Sequence, residues 1–115
     1  MRAKTKVWLE DDEGNVVFGG GRVRILQGVE EFGSLNKVSK NLNMSYRAVW
    51  GKVKATEERL GIKLVDSTVG GSKDGGSRLT DEGRALLTRY LELERLSLEA
   101  TDRGFEELFS DLPGW

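Results

Sequence analysis

Cysteine and histidine are both absent from this chain. Without cysteine, disulfides and thiolate metal sites are excluded. Without histidine, the usual general base and the commonest zinc ligand are missing, so the composition leans away from enzymes and no cofactor is expected. Long apolar runs are lacking as well: they stop at two or three residues, so no segment is able to span a bilayer. The N-terminal MRAKTKVWLEDD has no apolar signal-peptide core. A cytoplasmic protein with no membrane partner is expected.

What is present is a chain of 115 residues, 37% hydrophobic and 32% charged. That suits one small domain over 1–115 with a single modest core. A net charge of −1 conceals a strong segregation. Residues 1–33 sum to −1, residues 34–79 to +5 and residues 80–115 to −5. A basic middle beside an acidic tail is the pattern of a protein with one face for a polyanion, the remainder keeping it in solution.

The start, KVWLEDDEGNVVFGGGRVRIL, reads as a β-hairpin, with Val7–Leu9 and Val16–Phe18 as short strands around an acidic turn at Gly14-Asn15. Asp11, Asp12 and Glu13 lack the central glycine and distal glutamate of a calcium loop, and a solvated turn explains them. Gly19, Gly20 and Gly21 miss the dinucleotide pattern GxGxxG, because Arg24 stands where its last glycine belongs. A helix is predicted from about Arg22 to Phe32, with Val23, Leu26, Val29 (or Ile25) and Phe32 at helical spacing and Gly33 as its stop.

Ser34 sits where an N-cap belongs and opens a short helix with Leu35, Val38 and Leu42 on one side. Asn43 suits a tight turn, Ser45 a second cap, and Gly61 the end of the helix YRAVWGKVKATEERL. Then come a strand at Ile62–Val65, the glycine-rich TVGGSKDGGSRLT, a strand at Arg78-Leu79, and Thr80 as cap of a long last helix reaching Thr101 or beyond. Short helix, tight turn and basic helix make a helix-turn-helix, and strand–loop–strand makes a wing. The fold class is therefore mainly α (α+β): a winged helix-turn-helix over 21–79, with an N-terminal hairpin over 1–20 and a C-terminal helix over 80–110.

Projected at about 100° per residue, the helix from Ser45 to Leu60 has Val49, Val53, Thr56 and Leu60 on a core stripe with Trp50 at its edge. Arg47, Gly51 and Lys54, with Ala48, Lys52 and Ala55, fall on the other side. Small residues let a backbone settle into a major groove while longer cations reach bases or phosphates, and Arg47 lies in the first turn, where base contacts are usual. Lys54 suits a solvated face equally well. Tyr46 is placed to pack its ring at the domain edge or to offer its hydroxyl to a phosphate.

The segment GSLNKVSKNLNMSYRAVWGKVKATEERLG, then LV, then GG-SKDGGSRLTDEG, resembles the N-terminal DNA-binding domain of ModE-type molybdate-responsive transcription regulators, a winged helix related to that of LysR-type regulators. The pieces that carry it are Ser45-Tyr46-Arg47 with Trp50, Gly70-Gly71 through Gly75-Gly76, and Leu79-Thr80 with Gly83, over about residues 20–95. The resemblance implies a dimeric, sequence-specific regulator of double-stranded DNA. The DNA-facing set is then Ser34, Lys37, Ser45, Tyr46, Arg47, Lys52 and Lys54, with Ser72, Lys73 and Arg78 on the wing. Asp74, beside Lys73, is expected to face away from DNA.

Two departures from the family pattern stand out: Val38-Ser39 replace a pair of small residues, and Lys73-Asp74 interrupt the glycine run. The chain reaches Trp115 without the C-terminal molybdate-binding domains of full-length family members, so a separate sensing partner is expected if molybdate acts at all. On the last helix Leu86, Tyr90 and Leu93 recur at heptad-like spacing with Leu87, Leu91 and Leu98 beside them. Leu86, Leu87, Tyr90 and Leu93 are the expected homodimer interface. Two other functions compete. A dimeric adaptor has no need of the basic middle, and a nucleotide-binding enzyme would need GxxxxGK[ST], whereas Lys73 is followed by Asp74.

Overall fold

The computed structural model describes residues 1–67 and 76–114. Its elements are β1 (Leu9–Glu10), β2 (Val16–Phe18), α1 (Gly20–Phe32), α2 (Leu35–Asn41), α3 (Tyr46–Leu60), β3 (Val65–Ser67), β4 (Ser77–Leu79) and α4 (Asp81–Phe109). They form two compact units, one of Trp8–Leu87 and one of Met1–Val7 with Thr88–Trp115. The larger unit contains the winged helix-turn-helix expected over 21–79.

Local chemistry explains most element ends. Ser34 Oγ accepts from the Lys37 amide at 3.3 Å and Ser45 Oγ from the Ala48 amide at 3.0 Å, each satisfying a donor that a helix start leaves open. Thr80 Oγ1 accepts from the Gly83 amide at 2.9 Å and donates to the Lys63 carbonyl at 2.5 Å. One hydroxyl thus both starts α4 and ties it to the approach to β3. Gly33 and Gly61 end α1 and α3 in the left-handed conformation, at φ 69° and 67°. Asn43 takes φ 56° in the α2–α3 turn, a conformation its short amide side chain tolerates.

β4 takes in Ser77 ahead of the expected Arg78-Leu79, and three other boundaries differ more from the sequence reading. β1 begins at Leu9 rather than Val7, and its register against β2 slips between Leu9 and Glu10, leaving only two paired residues. α1 begins at Gly20, two residues early, because the extended Gly19 already accepts the first helical bond from Val23. The strand expected at Ile62–Val65 starts only at Val65, since Ile62 still closes the α3 end by donating to the Glu57 carbonyl.

The core of the larger unit gathers Phe18, Ile25, Leu26, Val29, Val38, Val49 and Leu64, all essentially buried. Each such side chain contributes about 1.5–3 kcal/mol by leaving water. Thr56, buried among them, donates to the Val17 carbonyl at 2.7 Å and so pins the hairpin to α3. Close packing at two glycines sets helix positions. A Cβ on Gly28 would come within 2.9 Å of Val38, and one on Gly83 within 2.2 Å of the Leu64 carbonyl oxygen.

The smaller unit lies along the rest of α4. The Tyr90 hydroxyl donates to the Val7 carbonyl, Thr5 Oγ1 and Ser97 Oγ share a hydrogen bond of 3.2 Å, and Phe105 stacks on Phe109 with ring centres 4.9 Å apart. Burial first, and then the carboxylate of Glu94, push the Tyr90 hydroxyl above its usual pKa. Among the described residues no helix is long and apolar enough to cross a membrane.

Candidate nucleic-acid interface

The basic face is built on the first half of α3. Ser45 precedes the helix, and Tyr46, Arg47, Ala48, Trp50, Gly51 and Lys52 are all exposed, interrupted only by the buried Val49. This arrangement follows from the inward stripe. Val49, Val53, Thr56 and Glu57 are buried, so the opposite surface is left to the cations and small residues. No carboxylate occupies the first turn of α3, whose positive end therefore adds to the charge of Arg47. Lys37 is exposed on α2.

β3 and β4 pair antiparallel as Val65 with Leu79, Asp66 with Arg78 and Ser67 with Ser77, which is the base of a wing. Arg78 is exposed on β4, opposite Asp66. Asp66 is ion-paired with Lys63 at 3.6 Å. Ser72, Lys73 and Asp74, expected at the wing tip, lie outside the described residues.

Several expected side chains sit elsewhere. Ser34 is buried, at 2% exposure, and its hydroxyl caps α2 instead of facing outward. Trp50, expected at the core edge, is 45% exposed, because it lies one residue round from the Val49–Val53 stripe, outside it. Leu60, expected to complete that stripe, is exposed on the last residue of α3, beyond the core. Lys54 lies within its own helix: its Nζ is 3.2 Å from Glu57 Oε1 and 5.5 Å from the centre of the Trp50 ring.

On α4 the expected interface divides. Leu87 (3% exposed) and Tyr90 (2%) are interior, the first in the core of the larger unit and the second bound to Val7. Leu86 is half-buried and Leu93 exposed. Leu91, Leu96 and Leu98 are exposed as well.

Sequence reasoning passed over Glu57. Its Oε2 accepts from the amides of Leu64 at 2.7 Å and Val65 at 3.2 Å, and its Oε1 faces Lys54. Burial pushes this carboxyl upward, but the two amides and Lys54 outweigh it and leave the pKa below the ordinary value. The signal was a glutamate four residues after Val53, on the stripe that should be apolar.

A family model described as bacterial regulatory helix-turn-helix protein, lysR family, matches residues 21–84, from α1 into the first turn of α4. Molybdenum transport protein ModE of Azotobacter vinelandii is 33% identical over 107 residues, covering 93% of this chain and 39% of that protein. Transcriptional regulator ModE of Haemophilus influenzae is 35% identical over 74 residues, covering 64% of this chain and 29% of its own length. This chain thus spans well under half of either relative. Among solved structures, the CbnR DBD–DNA complex superposes with a TM-score of 0.55 at 25% identity, over 73% of this chain and 91% of that one. ArgP from Mycobacterium tuberculosis gives 0.52 at 27% identity, over 70% of this chain and 28% of its own. The matched segment holds both the helix-turn-helix and the wing strands, and the chain belongs to the lysR family of bacterial regulatory helix-turn-helix proteins.

Proposed function

We propose that this protein is a ModE-like transcription regulator that binds an inverted-repeat DNA operator as a homodimer. The reading is carried by the exposed first half of α3, where Ser45, Tyr46, Arg47 and Lys52 stand at the start of a helix whose other face buries Val49, Val53, Thr56 and Glu57. Arg47 reaches a base edge in the major groove, and Lys37, Lys52, Tyr46 and the wing's Arg78 and Lys73 meet phosphates on either side. The acidic residues of α4 project away from the DNA, where phosphate would repel them. The family match and the likeness to the CbnR DBD–DNA complex support this assignment.

Self-association uses α4. Its exposed Leu93, Leu96 and Leu98 form more apolar surface than a helix ordinarily keeps in water. Two-fold symmetry then sets two α3 helices about 34 Å apart, or a multiple of it, matching one turn of DNA. The family resemblance and the relative named molybdenum transport protein ModE make molybdate the effector to test.

Selecting bound duplexes from a random pool, with and without molybdate, tests binding, symmetry and effector together. An inverted repeat is expected. With about five to eight phosphates neutralised per dimer, log affinity falls with log salt at a slope of roughly −4 to −7. Arg47→Ala costs about 1–3 kcal/mol of discrimination at one base pair per half-site. Equal, salt-independent binding of all duplexes by wild type and variant would instead favour a protein–protein adaptor.

A further inference from the structure

The two oxygens of Glu57 do different things. Oε2 takes the amides of Leu64 and Val65, the residues that lead the chain into the wing, while Oε1 takes the ammonium of Lys54 from the outer side of α3. Building on the DNA-binding function proposed above, we propose that Glu57 is a specificity-determining residue: it anchors the wing root with one oxygen and, with the other, withholds Lys54 from the phosphate backbone.

An ordinary surface pair three residues apart on a helix would not hold a lysine against a phosphate, because both side chains lose rotamer freedom and water screens the attraction. This pair differs on one side. The Glu57 side chain is only 9% exposed, and two backbone donors already fix its orientation, so pairing with Lys54 restricts nothing further on the carboxylate. The Trp50 ring, 5.5 Å from the same Nζ, adds a second attraction along the helix surface. Glu57 and Trp50 together draw the ammonium along α3 instead of outward from it.

The consequence concerns selectivity. Binding to unrelated DNA rests almost wholly on phosphate neutralisation, whereas recognition adds contacts to base edges. A cation withheld from phosphate lowers the first and leaves the contribution of Arg47 untouched. The ratio between them rises.

The separate duties of the oxygens supply a clean variant. In Glu57→Gln the amide oxygen keeps the place of Oε2 and still accepts from Leu64 and Val65. The amide nitrogen takes the place of Oε1 and, being a donor, cannot hold an ammonium. The wing root stays anchored while Lys54 is released.

Binding of wild type, Glu57→Gln, Lys54→Met and the double variant is measured between about 50 and 200 mM salt. The duplexes are the selected operator and an unrelated sequence. Lys54→Met alone is expected to leave the salt slope unchanged. Glu57→Gln steepens it by about 0.9 per half-site and tightens binding to the unrelated duplex several-fold, and adding Lys54→Met reverses both. A slope flattened by about 0.9 per half-site in Lys54→Met alone, or equal slopes in Glu57→Gln and the double variant, overturns the inference and leaves the proposed function standing. A wild type that binds DNA without salt dependence, or not at all, overturns both. If Glu57→Gln fails to melt cooperatively, Lys54→Met decides alone.

Discussion

α3 and α4 draw on a similar store of apolar residues and place them in opposite ways. On α3 the stripe Val49, Val53 and Thr56 is buried, and the outer face is left to Arg47, Gly51 and Lys52. On α4 only Gly83, Leu87 and Tyr90 are buried, and Leu91, Leu93, Leu96, Leu98, Leu108 and Phe109 remain in contact with water. A helix with its apolar side satisfied can offer a polar surface to a charged partner. A helix with its apolar side open has a partner still to find. Under the proposed function the difference separates two tasks: α3 would meet nucleic acid, and α4 a second copy.

The comparison breaks most visibly where α4 begins. Its first turn approaches the Leu64 carbonyl so closely that only glycine fits, so Gly83→Ala should destabilise the protein by about 3 kcal/mol, read as a lowered thermal midpoint. An unchanged midpoint would show that α4 does not depend on that approach.

Leu93→Glu tests the open face of α4. Losing about 2 kcal/mol of apolar burial per protomer, it should shift sedimentation from dimer to monomer and weaken operator binding, with the thermal midpoint of the monomer little altered. A dimer as stable as the wild type would move self-association off this face.

Ser45→Ala acts at the start of α3 and should cost about 1 kcal/mol through the lost cap, a midpoint lowered by about 4–8 °C. The smallest effect is the acid response of Glu57. Its carboxyl is held below its ordinary value of 4.5, so the stability it contributes is fully present above that pH. It is lost as pH falls through the lower value of the folded state. Melts compared at neutral pH and below that value should therefore diverge more for wild type than for Glu57→Gln. Equal divergence would remove Glu57 from the acid response.

Much of the fold was legible because helix ends are decided by neighbours in sequence. Ser34, Ser45 and Thr80 each cap the helix that follows, and Gly33, Asn43 and Gly61 each supply the left-handed turn expected of them. The same locality places the cations of α3 opposite Val49 and Val53. One cause recurs on the two long helices: helical period tells which residues share a face but not how wide the buried arc is. Trp50 falls just outside that arc on α3, and Leu87 and Tyr90 fall inside it on α4, whereas Leu60 keeps the right face but lies at the helix end, beyond the core.

What the sequence by itself determined, then, was the order of elements, the caps that bound them and the charge that separates the middle of the chain from its end. These rest on interactions spanning three or four residues. Only the tertiary structure decided the roles of Tyr90 and Glu57. The hydroxyl of one meets Val7, and the carboxylate of the other meets Leu64 and Val65, across chain separations that periodicity does not encode. A buried polar group is placed by whichever partner the fold brings to it.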